Sequence, residues 1–302
     1  MGRRMSDPVR LFVFGLGYSA GPLARSLKGR AQWIGGTTRN GDKAEALTAD
    51  GIRPFVFDGV SEGAGVADAV KLATHLVVSV PPPRSGDDRG DLVLARHRQS
   101  VLAAGKLRWI AYLSTVGVYG NYGGAWVSEA TTPHPAQERS RARLAAEKAW
   151  AALAAEKGIP LAILRIAGIY GSGRNALVDL GDGSAHRVIK PGQVFNRIHV
   201  DDIVTAVAAA LNRATDGIIN LADDEPAPPQ DVVAFAAGLM GVKPPPEVPI
   251  GLAALSPMGR SFYAENKRVK NVRLKRDLGV VLRYPTYREG LTALWRTGTW
   301  RG

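Results

Sequence analysis

The segment Val9-Arg10-Leu11-Phe12-Val13-Phe14-Gly15-Leu16-Gly17-Tyr18-Ser19-Ala20-Gly21 decides the fold. Its first six residues are mostly apolar and end at a glycine, which is typical of a short buried strand. Residues 20–28 then carry apolar and basic side chains at helical spacing. Gly15 permits a tight turn, Gly17 lets the backbone approach a pyrophosphate, and Ala20 lets the helix pack closely on the strand. The segment therefore predicts a strand, turn and helix that bind a dinucleotide.

The same alternation of strand and helix continues through the first half of the chain. Short apolar runs bounded by Gly or Pro predict strands at residues 9–14, 32–36, 53–57, 75–80, 109–113 and 161–165. Amphipathic stretches predict helices at residues 20–28, 42–49, 66–72, 91–104 and 136–157. Such alternation implies a parallel sheet with helices on both faces. The predicted fold class is α/β, with a doubly wound parallel Rossmann sheet.

The second half of the chain is less regular and predicts a smaller C-terminal substrate lobe. Residues 168–196 are rich in glycine and polar residues, which is typical of a long loop. A strand is predicted at 217–221, and helices at 202–211, 230–240, 266–278 and 286–296. We expect a dinucleotide-binding domain of residues 8–165 plus about 197–222, and a substrate lobe of residues 166–196 and 223–300.

The end of the second predicted strand indicates which dinucleotide binds. NAD specificity usually needs an acidic residue about 20 residues after the glycine pattern, where it bonds the ribose 2′-hydroxyl. This chain reads Gly36-Thr37-Thr38-Arg39-Asn40 there, and its next carboxylate is Asp42. Arg39 can pair with a 2′-phosphate, and Thr37 or Thr38 can donate a hydrogen bond to it. The sequence favours NADP over NAD; the alternative is that Arg39 is a solvated loop residue.

Other cofactor contacts are predicted at the ends of neighbouring strands. Asp58 follows the third strand, where we expect the adenine. The complete set of predicted cofactor residues is Gly15, Gly17, Tyr18, Ser19, Ala20, Thr38, Arg39, Asp58, Ser79, Val80, Pro81 and Arg143.

Composition narrows the classes of protein. The chain has 302 residues, no cysteine and a formal net charge of +12 from 39 basic and 27 acidic residues. The absence of cysteine excludes disulfides and thiolate metal sites. No apolar run is long enough to span a bilayer or form a signal peptide, so we expect a cytoplasmic protein without a membrane partner. The basic stretch 267–276 lacks interleaved aromatics, so we expect a solvated helix face there and no nucleic-acid partner.

Several motifs resemble the extended short-chain dehydrogenases/reductases, the NAD-dependent epimerase/dehydratase group. The motifs are Leu113-Ser114-Thr115-Val116-Gly117-Val118-Tyr119-Gly120, Leu164-Arg165-Ile166-Ala167-Gly168-Ile169-Tyr170-Gly171 and Arg197-Ile198-His199-Val200-Asp201-Asp202. The tail from Asn266-Lys267-Arg268 to Tyr284-Pro285 is similar to that of an uncharacterised bacterial branch. The resemblance covers nearly the whole chain.

The resemblance implies a Ser/Thr that bonds the reacting oxygen, a Tyr that transfers the proton and a Lys four residues later. It places Thr115 in the first role, with Ser114 beside it. Arg139 stands where Tyr is expected, and Arg143 stands where Lys is expected. Because Arg stays protonated at neutral pH, Arg139 is a poor proton carrier. The acids that remain to be considered are Tyr119, His199 and Tyr170.

The resemblance also implies a small-molecule substrate, with a nucleotide sugar or another hydroxylated metabolite as the natural expectation. Candidate contacts share polar or cationic side chains in the later loops, which suit an anionic ligand: Tyr119, Arg174, Asn175, Arg187, Lys190, Arg197 and Arg260. No pattern of His and carboxylates indicates a metal. Two functions stay open, an NADP-dependent oxidoreductase or epimerase and a non-catalytic NADP-binding sensor. A homodimer through residues 91–104 and 136–157 and a monomer are both open.

Overall fold

The computed structural model describes residues 8–83 and 90–302, and its largest sheet has seven strands in the order β11-β7-β5-β4-β1-β2-β3. These strands are β1 (Val9–Phe14), β2 (Ala31–Thr38), β3 (Arg53–Val56), β4 (His75–Val78), β5 (Trp109–Thr115), β7 (Leu161–Ile166) and β11 (Gly217–Leu221). The pairing of β1 with β2 and β4 is parallel. The predicted α/β class with a parallel Rossmann sheet is confirmed.

Helices follow the strands of the first half as predicted. The α-helices within the described ranges are α1 (Ala20–Ser26), α2 (Ala44–Ala49), α3 (Val66–Leu72), α4 (Leu92–Ala103), α5 (Glu138–Lys157), α6 (Ala176–Gly181), α7 (Val200–Arg213), α8 (Pro229–Met240), α9 (Pro257–Tyr263), α10 (Val272–Arg276) and α11 (Tyr287–Thr297). β1 and α3 coincide with their predicted ranges. No helix within the described ranges is long and apolar enough to cross a membrane.

The chain divides into two compact units. Within the described ranges, the first contains residues 8–83, 90–114, 141–164 and 204–218, and the second contains residues 115–140, 165–203 and 219–302. Residues 115–140, 165, 197–203 and 219–222 therefore belong to the second unit, although the predicted domain limits placed them in the dinucleotide-binding domain. The limits of the two functional domains stay a prediction.

Each unit has its own apolar core. In the first, Phe12, Phe14 and Trp150 are fully buried. In the second, Tyr287 and Leu291 are almost fully buried and pack in one cluster. Burying such a side chain contributes about 1.5–3 kcal/mol to the folding free energy. Each core therefore stabilises the helices and strands of its own unit, including those that carry polar side chains.

The predicted long loop at residues 168–196 is wrong, because it contains three regular elements. β8 (Gly168–Tyr170) pairs with β10 (Arg197–His199), and β9 (Arg187–Ile189) pairs with β12 (Glu247–Pro249). α6 lies between β8 and β9. Strands of three residues are too short to show a period of two, so only their distant pairing partners reveal them.

The predicted helix at residues 266–278 is also largely wrong. Only α10 is helical there, whereas β13 (Arg268–Val269) pairs with β6 (Trp126–Val127). The amide of Lys270 donates to the Val127 carbonyl at 2.9 Å. Strand pairing with a segment far away in the sequence overrides the helical spacing of the basic residues.

Candidate functional site

The end of β2 fixes the first glycine of the turn. The Gly15 amide donates to Thr37 Oγ1, and the Leu16 amide donates to the Thr37 carbonyl, each at 2.8 Å. Gly15 has φ +89°, and a Cβ there would lie 3.1 Å from Val80 Cγ2. Both its backbone conformation and its neighbour therefore require glycine.

Gly17 differs from Gly15 because no protein atom requires it to be glycine. A Cβ at Gly17 would meet nothing within 4 Å, and its φ is not positive. Tyr18 beside it is 37% exposed, and Ser19 caps α1 without a side-chain hydrogen bond. The buried Ala20 begins α1, whose first turn has no acidic residue. The open space over Gly17 and the amide groups at the start of α1 fit a pyrophosphate.

The residues after β2 present one cation to solvent. Arg39 is exposed, and its guanidinium has no ion-pair partner in the described part of the chain. Thr38 is buried; its hydroxyl donates to the Asn40 carbonyl and accepts from the Asn40 amide. The Asn40 side chain donates to Asp42 Oδ2 at 2.6 Å. Thr38 therefore shapes the turn that carries Arg39, and Asn40 binds the nearest carboxylate.

The ends of β3 and β4 carry the other predicted cofactor residues. Asp58 is exposed and accepts from the amides of Val60 and Ser61, and these hydrogen bonds lower the pKa of its carboxyl group. The Ser79 amide donates to the Phe14 carbonyl at 2.8 Å. Val80 is half-buried against Gly15, and Pro81 is exposed. These positions all belong to the first unit.

Two predicted catalytic residues of the first unit are held by internal hydrogen bonds. Ser114 is buried and donates to Glu147 Oε1 at 2.5 Å. Arg143 Nη1 donates to the Leu113 carbonyl at 2.9 Å, and its guanidinium lies 5.7 Å from the Tyr112 ring centroid. Arg143 is therefore tied to the end of β5.

Thr115 and Arg139, the other two predicted catalytic residues, belong to the second unit. Thr115 Oγ1 accepts from the Gly117 amide at 3.1 Å, which leaves its proton for another acceptor. Arg139 is exposed, donates to Ser261 Oγ at 2.9 Å and lies 4.5 Å over the Phe262 ring. Arg139 therefore contacts α9, which contains both residues.

The three residues considered as replacement acids are buried and engaged. The Tyr119 hydroxyl donates to Asn220 Oδ1 at 2.7 Å, and burial raises the pKa of that tyrosine. Burial also raises the pKa of Tyr170. Burial lowers the pKa of His199 to about 4, and its Nδ1 accepts from the Asp201 amide. All three groups keep their neutral form at neutral pH, which makes them poor proton carriers there.

Most predicted substrate residues use their polar atoms inside the second unit. Asn175 caps α6 and donates to the carbonyls of Gly171 and Trp300. Arg187 pairs with Glu247, Lys190 donates to the Tyr263 carbonyl, and Arg197 donates to the carbonyls of Phe195 and Ala227. Arg174 and Arg260 are exposed. Direct substrate contact stays a prediction for all of them.

The predicted solvated basic face at residues 267–276 is wrong at Lys267, whereas Lys270, Lys275 and Arg276 are exposed. Lys267 is only 6% exposed, donates to the Gly120 carbonyl at 2.7 Å and pairs with Glu265 at 2.8 Å. Lys275 pairs with Asp224. The positive charge of this stretch is thus partly neutralised within the protein. The sequence analysis did not predict that Lys267 is buried. The only signals in the sequence are the nearby Glu265 and the Val118-Tyr119-Gly120 motif, whose Gly120 carbonyl Lys267 contacts.

Comparison with known proteins gives a match to one family. Residues 95–222 match the family described as "Epimerase: NAD dependent epimerase/dehydratase family". The match includes the end of β5 and the first turns of α5, where Thr115, Arg139 and Arg143 lie. The predicted resemblance to the extended short-chain dehydrogenases/reductases is therefore confirmed.

Several proteins are similar to this chain over most of its length. A structure titled "functionally unknown conserved protein" from Silicibacter pomeroyi is 45% identical, covering 96% of this chain and 99% of that one, with a TM-score of 0.85. Protein YeeZ of Escherichia coli K12 is 29% identical over 78% of this chain and 85% of its own length. UDP-glucuronic acid 4-epimerase of Bacillus cereus, solved with NAD, is 16% identical, covering 95% of this chain and 98% of that chain, with a TM-score of 0.75. That last likeness concerns the fold alone.

The described ranges contain no group of three or more His, Cys, Asp or Glu side chains that could hold a metal ion.

The match to the epimerase/dehydratase family and the structural neighbours support an NAD-dependent oxidoreductase or epimerase in general terms.

Proposed function

We propose that this protein is an NADP-dependent oxidoreductase or epimerase that acts on a small anionic or sugar-nucleotide substrate. The observation that carries the cofactor choice is the exposed guanidinium of Arg39 directly after β2. No carboxylate stands at the position that bonds the ribose 2′-hydroxyl in NAD-specific proteins. A planar guanidinium can bind a phosphate with two parallel hydrogen bonds.

The surrounding residues support the same choice. Thr38 bonds both backbone groups of Asn40 and so orients the turn that carries Arg39. Asn40 binds Asp42 at 2.6 Å, which restrains the nearest negative charge. Gly15 and Gly17 would hold the pyrophosphate, because the turn leaves space over Gly17. The bound dinucleotide would supply the hydride chemistry.

Calorimetric titration with NADPH and NADH tests this proposal. We expect the native protein to prefer NADPH, and Arg39→Ala to weaken NADPH binding roughly tenfold or more, because a hydrogen bond to a charged group contributes about 1.5–3 kcal/mol. NADH binding should change little. Arg30→Ala is the matched control, since Arg30 is equally exposed and precedes the other end of β2. Equal binding of both nucleotides, or no effect of Arg39→Ala, would contradict the proposal.

The side chains define what the protein contributes to chemistry. Thr115 would donate a hydrogen bond from its hydroxyl group to the reacting oxygen. Arg143 and Arg139 would supply positive charge that stabilises an oxyanion or an anionic substrate. Neither arginine can donate a proton at neutral pH.

A second function, a non-catalytic NADP-binding sensor, is favoured by one observation. The two residues that replace Tyr and Lys are engaged, Arg143 by the Leu113 carbonyl and Arg139 by Ser261 and Phe262. Fluorescence of bound NADPH against sugars, nucleotide sugars and keto acids separates the two functions. Oxidation by any of them supports the enzyme. Binding of NADPH without oxidation across the panel supports the sensor.

We further propose a cytoplasmic location, which the absence of cysteine supports. A homodimer through α4 and α5 and a monomer both fit this function, and analytical ultracentrifugation distinguishes them by mass. Contact with nucleic acid is not part of the proposal, because Lys267 and Lys275 in the basic stretch pair with carboxylates.

A further inference from the structure

Two hydroxyl groups of the second unit flank the backbone of Gly117. A Cβ built on Gly117 would lie 3.0 Å from Ser140 Oγ and 3.4 Å from Thr115 Oγ1. Both oxygens therefore border the same space over this glycine. Ser140 is the third residue of α5 and follows Arg139 directly.

The structure shows no hydrogen bond for the Oγ of Ser140 within residues 8–83 and 90–302. Although Ser140 as a whole is 4% exposed, its Oγ is not among the buried polar atoms that lack a partner, so this oxygen keeps contact with solvent. A hydroxyl that solvent reaches can also donate a hydrogen bond to a bound ligand.

The backbone conformation at residue 117, between the two hydroxyls, does not itself require glycine. The φ of Gly117 is not positive, so any residue could adopt its conformation. A side chain at this position would instead press on Ser140 Oγ, because 3.0 Å is closer than an ordinary Cβ contact. Gly117 therefore keeps the space beside both hydroxyls available.

Thr115 Oγ1 is prepared to donate. It already accepts from the Gly117 amide at 3.1 Å, so its remaining capacity includes its own proton. Ser140 Oγ carries a second proton next to the same space. Two donors that converge on one region are the arrangement that stabilises negative charge on an oxygen.

We propose that Ser140 is a second substrate-binding hydroxyl, which acts with Thr115 to hold the reacting carbonyl or hydroxyl oxygen of the substrate. This inference rests on the proposed function, because it uses the same substrate. It requires no proton transfer, since both hydroxyls only donate hydrogen bonds. The pair of hydroxyls takes over part of the stabilisation that the missing tyrosine provides in relatives, and Arg139 adds charge next to it in the sequence.

A crystal structure of the protein with NADP tests the geometry, with water as the probe for the substrate oxygen. We expect one ordered water within about 2.8 Å of both Thr115 Oγ1 and Ser140 Oγ. The same crystal of Ser140→Ala should lose this water without a change in the backbone of residues 115–120. A Ser140 hydroxyl that bonds a backbone carbonyl, with no water between the two oxygens, would overturn the inference.

Binding and stability measurements separate this inference from the proposed function. Ser140→Ala should keep the NADPH affinity and the melting temperature, whereas Gly117→Ala should displace the water by filling its space. A lower melting temperature for Ser140→Ala, comparable to that of Ser26→Ala, would indicate a structural hydroxyl and overturn the inference. Ser26 is the control because its hydroxyl bonds the Leu23 carbonyl at 2.7 Å. Failure of NADPH to bind the native protein would overturn the proposed function instead.

Kinetic measurements with any substrate that oxidises NADPH provide a further test of the role of Ser140. Removal of one donor to a developing oxyanion typically lowers kcat by about 10²-fold. We expect this loss for Ser140→Ala, with partial rescue by Ser140→Thr, which restores the hydroxyl. An unchanged kcat would overturn the inference.

Discussion

The two compact units use their polar side chains differently. In the first unit, the polar contacts of the glycine turn shape the backbone, and the side chain predicted to meet the ligand, Arg39, is left exposed. In the second unit, Asn175 and Arg197, predicted to meet a substrate, hydrogen-bond to carbonyls of their own unit. The glycine motif thus predicted backbone geometry that the structure shows, whereas the charge of isolated side chains did not predict which groups they bond.

The difference has a physical cause. The glycine at residue 15 is required by the conformation of the turn itself, so the sequence reveals it directly. A charged side chain in a loop can donate a hydrogen bond to any nearby carbonyl, and the sequence does not reveal which carbonyl that is. Measurements on glycines, histidines and a capping residue can therefore test this difference between the two units.

The largest effect is expected at Gly15. Gly15→Ala places a Cβ 3.1 Å from Val80 Cγ2 at φ +89°, which costs about 1–3 kcal/mol of folding free energy. The change should also weaken NADPH binding by at least about a hundredfold, since the turn must move. Urea unfolding and calorimetric titration measure the two losses.

Gly17→Ala is the matched control. A Cβ at Gly17 meets no atom within 4 Å, so the folding free energy should stay the same. NADPH binding should still weaken, because the added methyl group occupies the space for the pyrophosphate. Native affinity in Gly17→Ala would contradict the assignment of this turn to the cofactor.

An intermediate effect concerns pH and one histidine of each unit. Burial lowers the pKa of His75 in the first unit and of His199 in the second, each to about 4. The unfolded chain takes up these protons near pH 6.5, whereas the folded chain does not. Each neutral histidine therefore contributes stability above pH 6.5 that is lost as the pH falls towards 4, about 2 kcal/mol at pH 5.

Urea unfolding at pH 7 and pH 5 measures this loss. His75→Phe and His199→Phe should each reduce the difference in free energy between the two pH values, because phenylalanine does not titrate. A variant whose loss of stability between pH 7 and pH 5 equals that of the native protein would show that its histidine is protonated in the folded state. A buried neutral histidine would then contribute to the pH dependence of stability in the other unit only.

The smallest effect is expected at the cap of α6. Asn175 Oδ1 accepts from the amides of Leu177 and Val178, so Asn175→Ala should lower the folding free energy by about 1 kcal/mol. Arg260→Ala should leave it unchanged, because Arg260 is exposed. If Asn175→Ala keeps full stability and loses substrate binding, this residue belongs to the ligand and not to the fold.

Sequence reasoning predicted the regular half of the fold well. β1 and α3 agree with their predicted limits, and α5 begins two residues later than expected. It failed at residues 266–278, where pairing of β13 with β6 replaces most of the predicted helix. Local periodicity carries information about a helix of three turns, but none about a two-residue strand whose partner lies more than a hundred residues away.

The features of the candidate site also fall into two groups, those visible in the sequence and those that were not predicted. The glycine pattern and the guanidinium at Arg39 were visible in the sequence, because both follow a recognisable strand. The buried ion pair of Lys267 with Glu265 and the hydroxyl of Ser140 were not predicted. Both depend on which distant segments meet.

The sequence alone determined a repeating strand and helix pattern, a turn that only glycine can form, and the presence of arginine at residues 139 and 143. These are local properties, set by residue identity and spacing. Only the tertiary structure decided that Lys267 is buried, that Tyr119 is bound to Asn220, and that Ser140 and Thr115 border one space. Hydrogen bonding and burial depend on neighbours brought together by folding, and one chain's sequence does not encode those neighbours in any local pattern.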